Sequence, residues 1–238
     1  LFIAEALCRG MVDARAAQLY AAMNDTVERR AESLALGYLP VPRLDNPLAQ
    51  LEDGARGAGT TLEFGLADFA LALVADRLDD RARAETLAAR SLNYRNLQDP
   101  DSGWIRPRHE DGEWLTPFLP ESPYGFQEGT SWQYSWLAMH DLRGLFDGMG
   151  GDDTVEGRLD TFFGWPVSLV PVLWPTVQNQ ITLFGIFYLG NQFAPGNEHD
   201  LQAPWLYHYL GKPWKSAAMS AAAASIYTPT FNGLPGND

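Results

Sequence analysis

Apolar residues recur at three- and four-residue steps along most of the first hundred positions, and this period more than anything else restricts what the chain can fold into. From Leu1 to about Met23 the series Ile3, Leu7, Met11, Ala14, Ala17 and Tyr20 predicts a helix, and Asp25 to Leu36 predicts a second. Gly37, Pro40 and Pro42 then open a loop that lasts to Gly59. Thr60 or Thr61 is positioned to cap a third helix, with Leu62, Leu66, Phe69, Ala70, Leu73 and Val74 as its buried stripe. Arg81 to Leu97 supplies its antiparallel partner. Helical hairpins with polar loops between them favour an all-α bundle, solenoid or toroid over a sheet protein.

Further along, turn clusters flank a Trp-Ile-Arg run between Asp99 and Trp114, so a short hairpin is expected there. Asp99 and Asp101 read as turn residues and not as an incomplete calcium loop. Leu137 to Phe146, Gly157 to Phe163 and Ser216 to Ile226 read as helices. The apolar stretch from Trp165 to Phe193 is interrupted by Pro166, Pro171, Pro175, Gln178, Asn179 and Gln180, which argues against a membrane span.

The 238 residues are 46% hydrophobic, enough for one large core or two modest ones, and carry a net charge of −13. That charge disfavours nucleic acid and anionic membrane surfaces as partners and leaves neutral ligands or cations. The single cysteine, Cys8, excludes a disulfide framework and reads as a buried structural thiol. The chain opens on Leu1 inside a helical run, so its natural N-terminus is expected upstream, and localisation is not read from the lack of a leader.

Chemistry concentrates in Gly125 to Trp136, GFQEGTSWQYSW, where Glu128 lies among Trp132, Tyr134 and Trp136. A carboxylic acid beside indole and phenol rings is partly withdrawn from water, which suits an acid that protonates a leaving oxygen, and the rings offer flat walls on which a pyranose stacks. Other loop-borne acids stand beside Gly and Asn at Glu198 with Asp200 and at Asp238.

The segments TLEFGLADFALALVADRL, GFQEGTSWQYSWLAMHDLRGLF, GNEHDLQAPWLYHYLGKPWK and GLPGND resemble, in order and spacing, the signatures of glycoside hydrolase family 92, the calcium-dependent exo-acting α-mannosidases. The resemblance implies an all-α fold, an incomplete (α/α)6 toroid-type catalytic domain with a short hairpin and long loops. Residues 1–238 would form a single domain comprising most of that toroid, the family's N-terminal β-sandwich being absent. Glu128 falls on the general acid. An inverting mechanism pairs it with a second carboxylate about 6.5–9.5 Å away that deprotonates the attacking water; the family places that base after GLPG, where Asp238 stands as the base's neighbour or stand-in, with the residue beyond it the stronger candidate.

By the same resemblance Asn197 and Glu198 face the departing sugar, Trp132 borders the sugar, and Tyr134 and Trp136 anchor the helix behind it. Gln202 falls where a Ca2+ ligand is expected, its other reading being a loop amide bonded to backbone. His140 reads as a buried, hydrogen-bonded structural histidine, and His199 stands where relatives carry proline. The implied activity is that of an inverting exo-α-mannosidase acting on α-1,2-linked mannose, with a mannose-containing oligosaccharide or glycoprotein glycan as partner, no nucleic acid and no membrane span, in a secreted or periplasmic setting. The alternatives are another inverting glycosidase on the same scaffold and a non-catalytic carbohydrate-binding derivative.

Overall fold

The structure is a computed structural model describing residues 2–29, 35–46, 48, 55–165, 192–194 and 197–225. Its organising element is α3 (Gly57–Arg77), which is apolar on nearly every side because other helices cover it on nearly every side. The helices α1 (Phe2–Cys8) and α2 (Ala16–Glu28) pack on one flank, and α4 (Arg81–Ser91), continued by a 3₁₀ turn over Leu92–Asn96, packs along another. Leu71, Val74 and Leu87 are buried between them with Ala4, Leu7 and Val27. Small residues set the spacing: a Cβ at Gly65 would lie 2.8 Å from the Ser91 carbonyl oxygen. Across the same contact Asp68, 1% exposed, receives two hydrogen bonds from Arg90 at 2.6 and 2.9 Å.

Several boundaries differ from those the sequence predicts. Gly10, at φ +70°, breaks the first helix into α1 and α2, and α2 then runs straight through Asp25. Neither threonine caps α3, which starts a turn earlier at Gly57; Thr61 is buried inside it, donating to the Gly57 carbonyl and accepting from the Leu39 amide. Leu73 is 48% exposed, while Leu71 is fully buried in its place. Cys8 is exposed, a correction to its reading as a buried thiol: it closes α1 where the chain turns out toward Gly10.

The second half gathers around a larger core containing Leu62, Trp136, Phe146, Phe162, Phe163, Phe193 and Tyr207. The expected hairpin is present as two isolated antiparallel bridges, Gln98 with Ile105 and Arg108 with Trp114, and Asp99 is a turn residue bonded to the Asp101 amide and Ser102 hydroxyl. Then come α5 (Ser131–Tyr134), α6 (Leu142–Gly148), α7 (Asp152–Phe163), α8 (Leu206–Tyr209) and α9 (Pro213–Ser225). Lys215 of α9, almost fully buried, joins Glu156 and Asp160 of α7 at 2.8 and 2.7 Å, and the Tyr207 hydroxyl donates to Asp160 at 2.7 Å. Among the described residues the chain is helical with no strand beyond those bridges. Most of the Trp165–Phe193 stretch and the whole FNGLPGND segment fall outside the described residues.

Candidate active site

The Glu128 loop is built outward from α5. Thr130 and Gln133 form a capping box: the Gln133 side-chain oxygen accepts from the Thr130 amide at 2.7 Å, and the Thr130 hydroxyl accepts from the Trp132 amide. The Gln133 side-chain nitrogen donates to the Gln192 carbonyl, and the Ser131 hydroxyl to the Ile105 carbonyl, so this one-turn helix is fixed on both sides by buried polar contacts. Upstream, Gly125 at φ +103° passes so close to Pro107 that a Cβ would lie 2.6 Å from its ring, and its carbonyl accepts from the Gly59 amide at the start of α3. The acid loop is therefore tied to the scaffold's central helix.

Glu128 itself adopts φ +50°, a left-handed conformation uncommon for residues bearing a Cβ. Its side chain is exposed, which corrects the expectation of partial withdrawal from water among the indoles: Trp136 is fully buried in the core, and Trp132 faces elsewhere. Glu128 opens into a cleft of about 430 Å³ lined by Glu63, Leu66, Gln127, Glu128, Tyr134, Leu137, Glu198, His199 and Gln202. Residues from α3, the acid loop, α5 and the 198–202 turn thus meet in one place.

Of the two rings, Tyr134 and not Trp132 lines this cleft. The single hydroxyl hydrogen of Tyr134 is shared between Glu63 and the Gln127 carbonyl, both at 3.0 Å. Trp132 sits outside that lining, bonded through its indole nitrogen to Glu121 at 3.1 Å and edge-on to Trp104 at 4.5 Å. Residues two apart on a helix diverge by about 200°, so only one of the two rings can face the cleft. Glu63 is a lining acid that the sequence reading missed; the signal was an acid three residues from Leu66, the two sharing one face of the helix.

Asn197 is buried, and its amide nitrogen donates to the Glu128 carbonyl at 2.8 Å. Glu198 is exposed on the cleft. His199 stacks on Tyr134 at 4.7 Å, 27° between planes, and burial pulls its pKa down to about 4 although the Glu128 charge acts the other way. Burial also raises the Tyr134 phenol, helped by the Glu63 charge, so both rings stay uncharged at neutral pH. Asp200 is wholly buried, which raises its pKa well above the ordinary carboxylate range; the Ala194 amide donating to it at 2.8 Å opposes that shift. Asp238 lies outside the described residues.

The side-chain oxygen of Gln202 is the kind of donor a hard cation takes. Its nitrogen donates to the His199 carbonyl, the loop-amide role, and among the described residues no three His, Cys, Asp or Glu side chains gather in one cluster. The described residues do not by themselves form a calcium cage. What the cleft offers chemically is carboxylates from three separate stretches of chain beside neutral rings, a setting for proton transfer to or from an uncharged polyol.

The profile of the glycosyl hydrolase family 92 catalytic domain matches residues 1–238. The chain is 26% identical over 235 residues to an uncharacterized secreted glycosidase of Arthroderma benhamiae, covering 86% of this chain and 26% of that one. Among solved structures, a family GH92 α-mannosidase from Bacteroides thetaiotaomicron superposes with a TM-score of 0.74 at 27% identity over 94% of this chain. A family GH92 inverting mannosidase from the same organism gives 0.78 at 25% over 98%. The former enzyme is also known in complex with mannoimidazole. The chain spans 27% and 32% of those two solved chains.

Proposed function

Because the chain belongs to glycoside hydrolase family 92 and folds as part of its helical, toroid-like domain, we propose that it carries the acid side of an exo-α-mannosidase site, inverting and directed at α-1,2-linked terminal mannose. The observation that supports this most is the convergence of Glu128 and Glu198, from separate stretches of chain, on one cleft walled by Tyr134 and His199. In this reading Glu128 protonates the glycosidic oxygen as the bond to the anomeric carbon breaks. Water enters from the opposite face of the sugar, its proton taken by a carboxylate of the GLPGND segment, for which Asp238 is the candidate in this chain. Glu198 accepts hydroxyl hydrogens of the departing sugar, and Asn197 holds the acid loop at its backbone. We assign Trp132 to an outer border, away from the reacting centre.

The family is generally calcium-dependent, and Gln202 is the candidate ligand from this chain. We further propose that residues 1–238 form a single unit comprising most of the toroid, with the family's β-sandwich lying outside it. The substrate class is a mannose-terminated oligosaccharide or glycoprotein glycan. A secreted or periplasmic location agrees with the description of the fungal relative as secreted.

Replacing Glu128 by Gln tests the reading, with mannose release and mannose binding measured separately. A general acid contributes on the order of 10²- to 10⁴-fold, so release from an unactivated mannoside should drop by about that factor while binding persists. Release unchanged within about twofold would remove Glu128 from the role. In the protein with its natural termini, mannose binding without release would instead identify a carbohydrate-binding derivative.

A further inference from the structure

The three residues of the acid loop, Gln127 to Gly129, are each held by a different group. The Tyr134 hydroxyl donates to the Gln127 carbonyl at 3.0 Å, and the Asn197 amide to the Glu128 carbonyl at 2.8 Å. At Gly129 the contact is steric: a Cβ there would lie 2.9 Å from His199 Nε2 and 3.3 Å from Tyr134 Cε2, so the stacked pair closes directly over the glycine backbone. His199 Nε2 is buried with no hydrogen-bond partner among the described residues. Between these contacts Glu128 keeps φ +50°, a conformation that persists only where its surroundings over-determine it.

We propose that Tyr134 and His199 are positioning residues for the general acid: their stacked rings and the Tyr134 hydroxyl hold the Gln127–Gly129 backbone in the left-handed turn that aims Glu128 into the cleft. The inference rests on Glu128 being the acid. Its chemical consequence is selective. A loop free to relax misplaces the proton donor, and a displacement of about 1 Å costs on the order of 10²-fold in a positioned step. Only leaving groups that need a proton feel that loss.

The test uses Tyr134→Phe, which deletes the hydroxyl and keeps the ring, and His199→Ala, which deletes the stack, in the protein with its natural termini. Turnover is compared on a mannose disaccharide, whose leaving alkoxide needs protonation, and on 2,4-dinitrophenyl α-mannoside, whose phenolate leaves without it. The expected result is a kcat loss on the disaccharide that exceeds the loss on the aryl mannoside by a factor on the order of 10- to 100-fold. Equal losses on both substrates, or a change confined to KM, would overturn the assignment.

Amide hydrogen exchange over residues 125–130 supplies a readout independent of turnover. It should quicken by about tenfold or more in both variants while α3 and α7 keep parent rates. Unchanged loop exchange overturns the inference. A parent inactive on every mannoside overturns the functional reading instead, leaving exchange to decide whether the two rings hold the loop.

Discussion

His140 shows how one side chain's environment fixes its protonation and makes stability depend on pH. Its Nε2 lies 2.9 Å from the Ser91 carbonyl, which can only accept, so Nε2 carries the proton and Nδ1 is left as a bare acceptor. Nδ1 is buried with no partner among the described residues, and the ring stacks on Phe69 at 5.2 Å with Tyr94 edge-on. Burial lowers the pKa, against the Ser91 carbonyl and the Asp141 charge, which favour the cation; Arg95 opposes the cation from the same side. The folded value thus lies below the unfolded value of about 6.5, and the contribution is present above that pH and lost as pH falls through the folded value. Melting curves from pH 8 to 5 should show the parent losing stability more steeply below about pH 6.5 than His140→Gln. Parallel profiles would show that the imidazole takes up its proton equally in the folded and unfolded states. Asp141 enters only lower: burial opposes its ionisation, but Tyr94 and Arg95 more than offset that, so its contribution is lost below about pH 4.

The hairpin of α3 and α4 concentrates the energetics of an element pair in one buried contact. Asp68 is 1% exposed and receives both nitrogens of Arg90 in fork geometry, while Gly65 lets the helices approach closely enough for that reach. Removing one partner strands the other, so Asp68→Ala should destabilise by about 3–5 kcal/mol in denaturant unfolding, whereas replacing both residues by apolar ones should cost much less. A single-variant loss under about 1 kcal/mol would mean that water already solvates Arg90. The hairpin was legible in the sequence because Leu62 and Val74 repeat at helical spacing over a long run, and the short bridges around Trp104 were legible from their turn residues. The break at Gly10 was not, since apolar periodicity continues across it and only the backbone sign of one glycine ends α1. The start of α3 was missed for a related reason: Thr61 looked like a cap by type, but its hydroxyl is spent inside the helix on the Gly57 carbonyl. In the site, Glu128 and the GNEH turn stood out by motif, but Glu63 and which of Trp132 and Tyr134 lines the cleft depended on which way a one-turn helix faces.

Over the whole molecule 30 acidic side chains oppose 17 basic ones, and this imbalance has a sign that can be measured. Some of the excess gathers in one place, since Glu63, Glu128 and Glu198 all line the cleft. Many of the basic residues sit in exposed pairs, such as Arg9 with Glu5, Arg29 with Asp25 and Arg143 with Asp147. Pairs of that kind contribute little and weaken as salt screens them. The remaining net charge of −13 repels itself, favouring the expanded chain, and salt screens that repulsion too. Because the unpaired excess acts over the whole surface while each pair acts locally and weakly, repulsion should dominate. Raising NaCl from about 10 to 150 mM shortens the screening length from about 30 to 8 Å. The expected result is a rise in Tm of a few degrees, corresponding to roughly 1 kcal/mol at about 2–4 °C each for a chain of this size. A fall in Tm over the same range would show that the ion pairs, and not the unpaired acids, govern the electrostatics of the fold.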